Sequence, residues 1–304
     1  MTGLVADVVS FVDEAGGRGY LRNITEQADN YISLMCALPI PVEHLEFARE
    51  SIRPSFDRFC KAAPPGAKLH ITDAFQSGND EWAKTAHEVR EEIFGFMIRR
   101  QLRVVYAARR FKIAREVHGI NEQLTASAKD QSPVHGPRMY AIPGANRPSD
   151  DQVEDQVLID LALILDLFVE DAGFQKTDLY FDQIDAPVAK RYEELLERTK
   201  NISSRTTEVI ARNLVTRTNE TATISINANA GFRLDVSYVG DIVVVGKADP
   251  LIFAADIVAN SLWRHFSKLP GDAPLNDGTG LKGWPLDEIT FCDRRPGASL
   301  MDRI

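Results

Sequence analysis

The run DQVEDQVLIDLALILDLFVEDAG, residues 151–173, is apolar on nearly every face of a helix. A helix without a polar side has none to show to water, so this one belongs in a domain interior, with Gly173 as its stop. Hiding it takes a sizeable core, and 304 residues with 44% apolar side chains suffice for one large domain or two small ones. No apolar stretch reaches the about 18 residues of a membrane span, and no basic segment followed by an apolar one opens the chain. A cytoplasmic protein without membrane contact is therefore expected.

Around that helix, apolar period and punctuation alternate strands with helices. VVSFVD (8–13) and NYISLMCALPI (30–40) read as the strands of a hairpin. Helical spacing covers 41–61, AAPPGA breaks it, and KLHIT (68–72) reads as a short strand. A helix is expected over about 79–100, a strand at RVVYAA (103–108), a helix near 110–125 and a polar loop over about 127–150. Beyond residue 173, DLYFDQID (178–185) reads as a strand ending in acids, followed by a charged helix from APVAKRYEELLERTK. TATISIN (221–227), FRLDVSY (232–238) and the DIVVVG behind them are β-type runs. ADPLIFAADIVANSLWRHF (248–266) is a helix that Asp249 can cap and Pro250 can start. The whole predicts an α/β fold, a mixed sheet flanked by helices over 1–267, with an irregular C-terminal extension over 268–304 rich in Gly, Pro and Asp.

Three carboxylates are placed where they cost most. Asp13 ends the first strand, Asp182 ends a strand in the second half, and Asp256 lies among Ile252, Phe253, Ala255, Val258 and Ala259 on an apolar helix. A lone buried carboxylate is unfavourable unless paired or bound to a metal. Acids at strand ends and on a packed helix suit two-metal phosphodiester chemistry, in which carboxylates hold Mg²⁺ or Mn²⁺ ions about 3.5 to 4 Å apart. Each acid also has a plainer role, as a turn former, a helix cap or a partner of backbone amides. Glu14 is either a further ligand reached through the turn or a solvated neighbour, since side chains alternate along a strand. Asp73 can add a carboxylate or cap a helix, and His70 reads as a core or edge histidine ahead of a catalytic one. Asp160 and Asp166 are left outside the site as helix-end or Arg-paired acids.

Taken in order, SFVDEAG, LHITDAF, LYFDQID and PLIFAADIVANSLWR resemble segments of a bacterial family known as domain of unknown function 3800. Its members begin with Asp-Glu-Ser-Gly at the end of a first strand, and the resemblance spans most of residues 5–267. It implies a ribonuclease H-like fold and metal-dependent nuclease activity, with Asp13, Glu14, Asp182 and Asp256 at the matching positions. Asp13, Asp182 and Asp256 would be the metal ligands and Glu14 a fourth acid. The chain departs from the family at Ala15, which stands for Ser, at IFAAD, which stands for LQLAD, and at VVGKAD, where a Ser-containing turn is expected.

A net charge of -9 removes general nucleic-acid affinity, so contact with DNA or RNA must be local. RRQLRVVYAARRFKIAR supplies one basic run, and Arg99, Arg103, Arg109 and Arg110 are its candidates for gripping phosphates; its plainer role is a solvated face pairing with surplus acids. Cys36, Cys60 and Cys292 lie far apart without a CxxC pair, against a disulfide framework or thiolate zinc site. P-loop, dinucleotide, zinc-protease and serine-hydrolase motifs are missing. The expected function is divalent-metal-dependent hydrolysis of DNA or RNA; the alternative is a catalytically silent binding or assembly module with the same fold.

Overall fold

The computed structural model describes residues 6–19, 24–130, 139–141, 152–200, 206–225, 236–246 and 248–292. Strand β1 (Val8–Gly16) pairs antiparallel with β2 (Ile32–Pro41), which pairs antiparallel with β3 (Val104–Arg110). On the other side of β1 lies β5 (Thr177–Asp182), parallel to it, and beyond that β8 (Val239–Val245), parallel again. A two-residue strand, β9 (Thr290–Phe291), runs parallel to β3 at the far edge. The central sheet thus has six strands in the order β8-β5-β1-β2-β3-β9.

Alternation along the strands feeds two cores. Val9, Phe11 and Ala15 of β1 and Tyr180 of β5 join one; Val12, Leu179 and Phe181 join the other. The first core is covered by α1 (Leu45–Ala62), α2 (Ile71–Gln76), α3 (Asp80–Arg100) and α7 (Pro250–Phe266). The second is covered by α5 (Val153–Asp171) and α6 (Ala186–Thr199), with Phe111 and Ala114 from the start of α4 (Phe111–Asp130). A separate antiparallel sheet is built from β4 (Met139–Ala141), β6 (Thr206–Asn213) and β7 (Asn219–Ser225), in the order β4-β6-β7.

The two most apolar helices begin and end as their sequences dictate. α5 stops where Gly173 takes φ +77°, and Phe174 N–H returns to the Val169 carbonyl. α7 starts at Pro250, and the Asp249 side chain accepts from Leu251 N–H. Arg49 of α1 donates from Nε and Nη2 to the same Asp249 carboxylate, tying α1 to the head of α7.

Several expectations are corrected. KLHIT is not a strand: the chain turns at His70 into α2, so Ile71 and Thr72 are helical. β1 continues past Asp13 through Glu14 to Gly16. The expected loop over 127–150 contains β4, α4 runs on to Asp130, and β6 was not anticipated. Of FRLDVSY, residues 232–235 lie outside the described residues, and 236–238 are not strand. The extension after α7 is irregular over most of its described length, yet Leu275, Leu281, Trp284, Leu286 and Ile289 are buried in the first core. Among the described residues no helix is long and apolar enough to cross a membrane.

Candidate functional site

Because β1, β5 and β8 are parallel, their carboxyl ends share one end of the sheet. Val12 pairs with Phe181, so the next residues, Asp13 and Asp182, stand side by side, about 4.8 Å apart at the backbone by strand spacing. Both continue the row of Phe11 and Tyr180, whose rings meet edge to face at 5.5 Å on the side covered by α7. Asp256 enters from α7 on that side. All three border one cleft of about 400 Å³, together with Glu14, Arg18, His70, Asp73, Glu154 and Tyr192.

Cys36 reports how close these charges lie. It is the β2 partner of Asp13, and its thiol donates to the Ala255 carbonyl at 3.6 Å, beside Asp256. Burial pushes that thiol well up, and the charges of Asp13 and Asp256 push it further. Asp256 is only 8% exposed, and one oxygen accepts from Ile71 N–H at 2.8 Å. His70 is the N-cap of α2 yet makes no capping bond with its side chain, so a carboxylate from another helix caps that end. The His70 ring nitrogen stands 3.7 Å from the same oxygen. Asp73 is not the cap; it sits in the first turn of α2, with one buried carboxylate oxygen that has no hydrogen-bond partner among the described residues.

Glu14 leaves β1 toward the opposite side of the sheet and meets Arg18, four residues on. Arg18 is 69% exposed and also comes within 4.0 Å of Glu154, which Arg191 binds at 2.5 Å. Arg191 pairs Asp155 as well, at 3.0 Å, so the acids opening α5 are neutralised from α6. Tyr192 is buried beside them, and burial followed by the Glu154 charge raises its hydroxyl pKa.

None of Arg99, Arg103, Arg109 and Arg110 borders this cleft. Arg99 lies in the last turn of α3 and Arg103 reaches the Glu288 carbonyl at 3.4 Å, three residues below the level of Asp13 in the sheet register. Arg109 donates to Gln156 and to Asp160 at 2.7 Å, and Arg110 to the Pro270 carbonyl at 2.8 Å. The run is contiguous only in sequence; β3 carries its two parts to opposite ends of the strand. The cation that does border the acids is Arg18, which sequence reasoning passed over although it follows Glu14 by four residues. Glu154 and Tyr192 were passed over too, one inside an apolar run and the other inside a charged one.

A divalent ion finds suitable donors here in kind. The acids offer only hard oxygen ligands, and the buried Asp73 oxygen lacks a partner. They are not gathered into a ready coordination sphere: among the described residues no three His, Cys, Asp or Glu side chains stand close enough to share an ion. Within the cleft, Arg18 engages Glu14 and Ile71 N–H engages Asp256. A scan against protein-family models and a search of curated proteins both return no match to this chain.

Proposed function

We propose that this chain is a divalent-metal-dependent nuclease with a ribonuclease H-like core, hydrolysing phosphodiester bonds of DNA or RNA. One observation carries the reading: Asp13 of β1 and Asp182, the last residue of β5, stand side by side just past the last paired residues of these parallel strands, and buried Asp256 joins them from the helix packed over that face. Three carboxylates assembled at one cleft each cost desolvation and repel the others, and a bound cation would offset both. The mixed sheet with helices on both faces agrees with the fold implied by the resemblance.

Asp13, Asp182 and Asp256 would hold the ion, with Glu14 and Asp73 beside them. Bound there, Mg²⁺ or Mn²⁺ supplies charge for the developing oxyanion and lowers the pKa of a water. The chain's own residues do the rest. Arg18, exposed on its acidic partner, can turn its guanidinium to a non-bridging phosphate oxygen. His70, beside Asp256 and 36% exposed, is placed to hold or release a proton at its ring nitrogen.

The test is cleavage of labelled single- and double-stranded DNA and RNA with Mg²⁺ or Mn²⁺, run beside thermal melts. Activity should require the ion and vanish in Asp182→Asn, and the ion should raise the melting temperature of the parent by linkage. An inactive binding or assembly module is the second reading, favoured by the engagement of Glu14 and Asp256 with Arg18 and Ile71. Unchanged melting with either ion, together with no cleavage of any substrate, would select it.

A further inference from the structure

Arg110 is a buried charge, among the described residues, that packing leaves only partly satisfied. It is 3% exposed, its Nε is buried without a hydrogen-bond partner, and among the described residues it forms no ion pair. Its Nη2 donates to the Pro270 carbonyl, a neutral acceptor. Burial disfavours the charged guanidinium, and the charge of Asp272, which forms no ion pair with it, offsets this in part. Removing a cation from water without a paired anion is unfavourable. Arginine stays protonated regardless, so the cost persists until an anion arrives.

Space for one exists. Arg110 borders a pocket of about 190 Å³ together with Lys112, Ile113, Glu116 and Asp272. Lys112 is exposed, and because the Phe111 and Lys112 N–H groups that open α4 already donate to the Tyr31 and Asp29 carbonyls, the donors for a ligand are the side chains. The pocket is therefore no simple basic patch: two acids border it, and the attraction comes from the buried guanidinium and Lys112 acting at short range. A compact oxyanion fits that volume and that donor set.

Its position relates it to the acid cleft. Asp13 pairs with Cys36 and Cys36 with Tyr106, so Arg110 lies two strands across and four residues further toward the same end of the sheet. That separation is roughly 16 Å between Cα atoms from strand spacing and rise. Between the two lies a groove of about 690 Å³ that shares Glu14, Thr72 and Asp256 with the cleft. Its wall includes Trp263, Asn260 and Tyr31, an aromatic ring left 60% exposed, and Ile32, the register partner of Arg110. Aromatic and amide side chains suit unstacked bases, and an exposed tyrosine is a stacking surface.

We infer that the Arg110–Lys112 pocket binds a backbone phosphate of a single nucleic-acid strand, a few nucleotides from the bond held at the acids, with the intervening bases in the Tyr31–Trp263 groove. The inference rests on the nuclease reading for the role of the cleft, while the phosphate site can be tested without catalysis or metal. Binding of inorganic phosphate is measured by calorimetry on the parent, Arg110→Gln and Lys112→Glu, with chelator present. In parallel, labelled single-stranded dinucleotide and hexanucleotide are titrated into the same proteins on an Asp182→Asn background. Phosphate should bind the parent and weaken at least tenfold in both variants. The hexamer should bind tighter than the dimer, lose that advantage in the variants and be displaced by phosphate. Lys112→Glu, on an exposed side chain, keeps the test decisive should Arg110→Gln fail to fold.

No phosphate binding to the parent would overturn the inference, leaving Arg110 a tether for Pro270. Phosphate binding that depends on Arg110 and Lys112 while hexamer affinity ignores both would overturn the strand assignment. Failure of the nuclease reading looks different, because cleavage would then be absent while phosphate and hexamer binding still tracked Arg110 and Lys112.

Discussion

Asp256 shows how one side chain can serve fold and site together. Its Oδ2 caps α2 through Ile71 N–H, and it is also the helix-borne acid of the cleft. The two roles separate by substitution. Asp256→Asn keeps an oxygen acceptor for Ile71 N–H, so melting should stay close to the parent while metal binding and any cleavage are lost. Asp256→Ala removes the cap as well and should cost about 1 to 2 kcal/mol of stability, read by denaturant titration. Equal stability of the two variants would mean the cap is dispensable. Gly16 poses a sharper constraint. It takes φ +96°, and a Cβ there would lie 2.0 Å from the Ile32 carbonyl oxygen and 2.6 Å from Trp263 Nε1. Gly16→Ala should therefore cost roughly 2 to 4 kcal/mol, from positive-φ strain and a clash against backbone that cannot move aside. A melting temperature within a degree of the parent would refute this reading of the turn.

At the scale of elements, α4 is held at its start by a carboxylate outside it. Asp29 receives Arg115 Nε at 2.9 Å and Nη2 at 2.6 Å, and its carbonyl accepts from Lys112 N–H. The bond from Arg115 is the first cause of a lowered Asp29 pKa. A carboxylate depressed in the folded state adds stability above its unfolded pKa, near 3.9, and loses it as pH falls through the lowered folded value. Asp29→Asn should thus melt below the parent at neutral pH, with the gap closing as pH falls below about 4. A gap constant down to pH 2 would show that the ion pair adds nothing. Which elements could be read beforehand follows from the same physics. β1, β2, α5 and α7 declare themselves because a long apolar period has one structural meaning. KLHIT did not, since five residues fit a strand as well as a helix start, and the deciding contact, Ile71 N–H on Asp256, spans 185 positions. Asp182 was legible as a strand end, where chemistry and sequence position coincide; the end expected at Asp13 was not found, because β1 keeps pairing with β2 as far as Gly16. The division of the basic run was not legible, because the partners that decide it, Asp160 and Pro270, lie 51 and 160 positions away.

At the scale of the whole molecule, the segment after α7 joins the first core to the far edge of the sheet. Leu275, Leu281, Trp284, Leu286 and Ile289 are each at most 5% exposed, and β9 lengthens the sheet beside β3. Tyr106 donates to the Leu275 carbonyl, and the Asn276 side chain accepts from Ala108 N–H and donates to the Ala108 carbonyl, so β3 is tied to this segment by side chains. A fully buried large apolar side chain contributes about 1.5 to 3 kcal/mol. Five of them sum to roughly 8 to 15 kcal/mol, which equals the whole stability of a typical domain. Ending the chain after Ser267 should consequently leave no cooperative thermal transition, with secondary structure partly retained and a hydrophobic dye bound by the uncovered core. The acids would suffer indirectly, because Trp284 Nε1 donates to Ser261 on α7, the helix that carries Asp256. A truncated chain that melts cooperatively within a few degrees of the parent would show that residues 1–267 fold on their own and that the extension merely covers them.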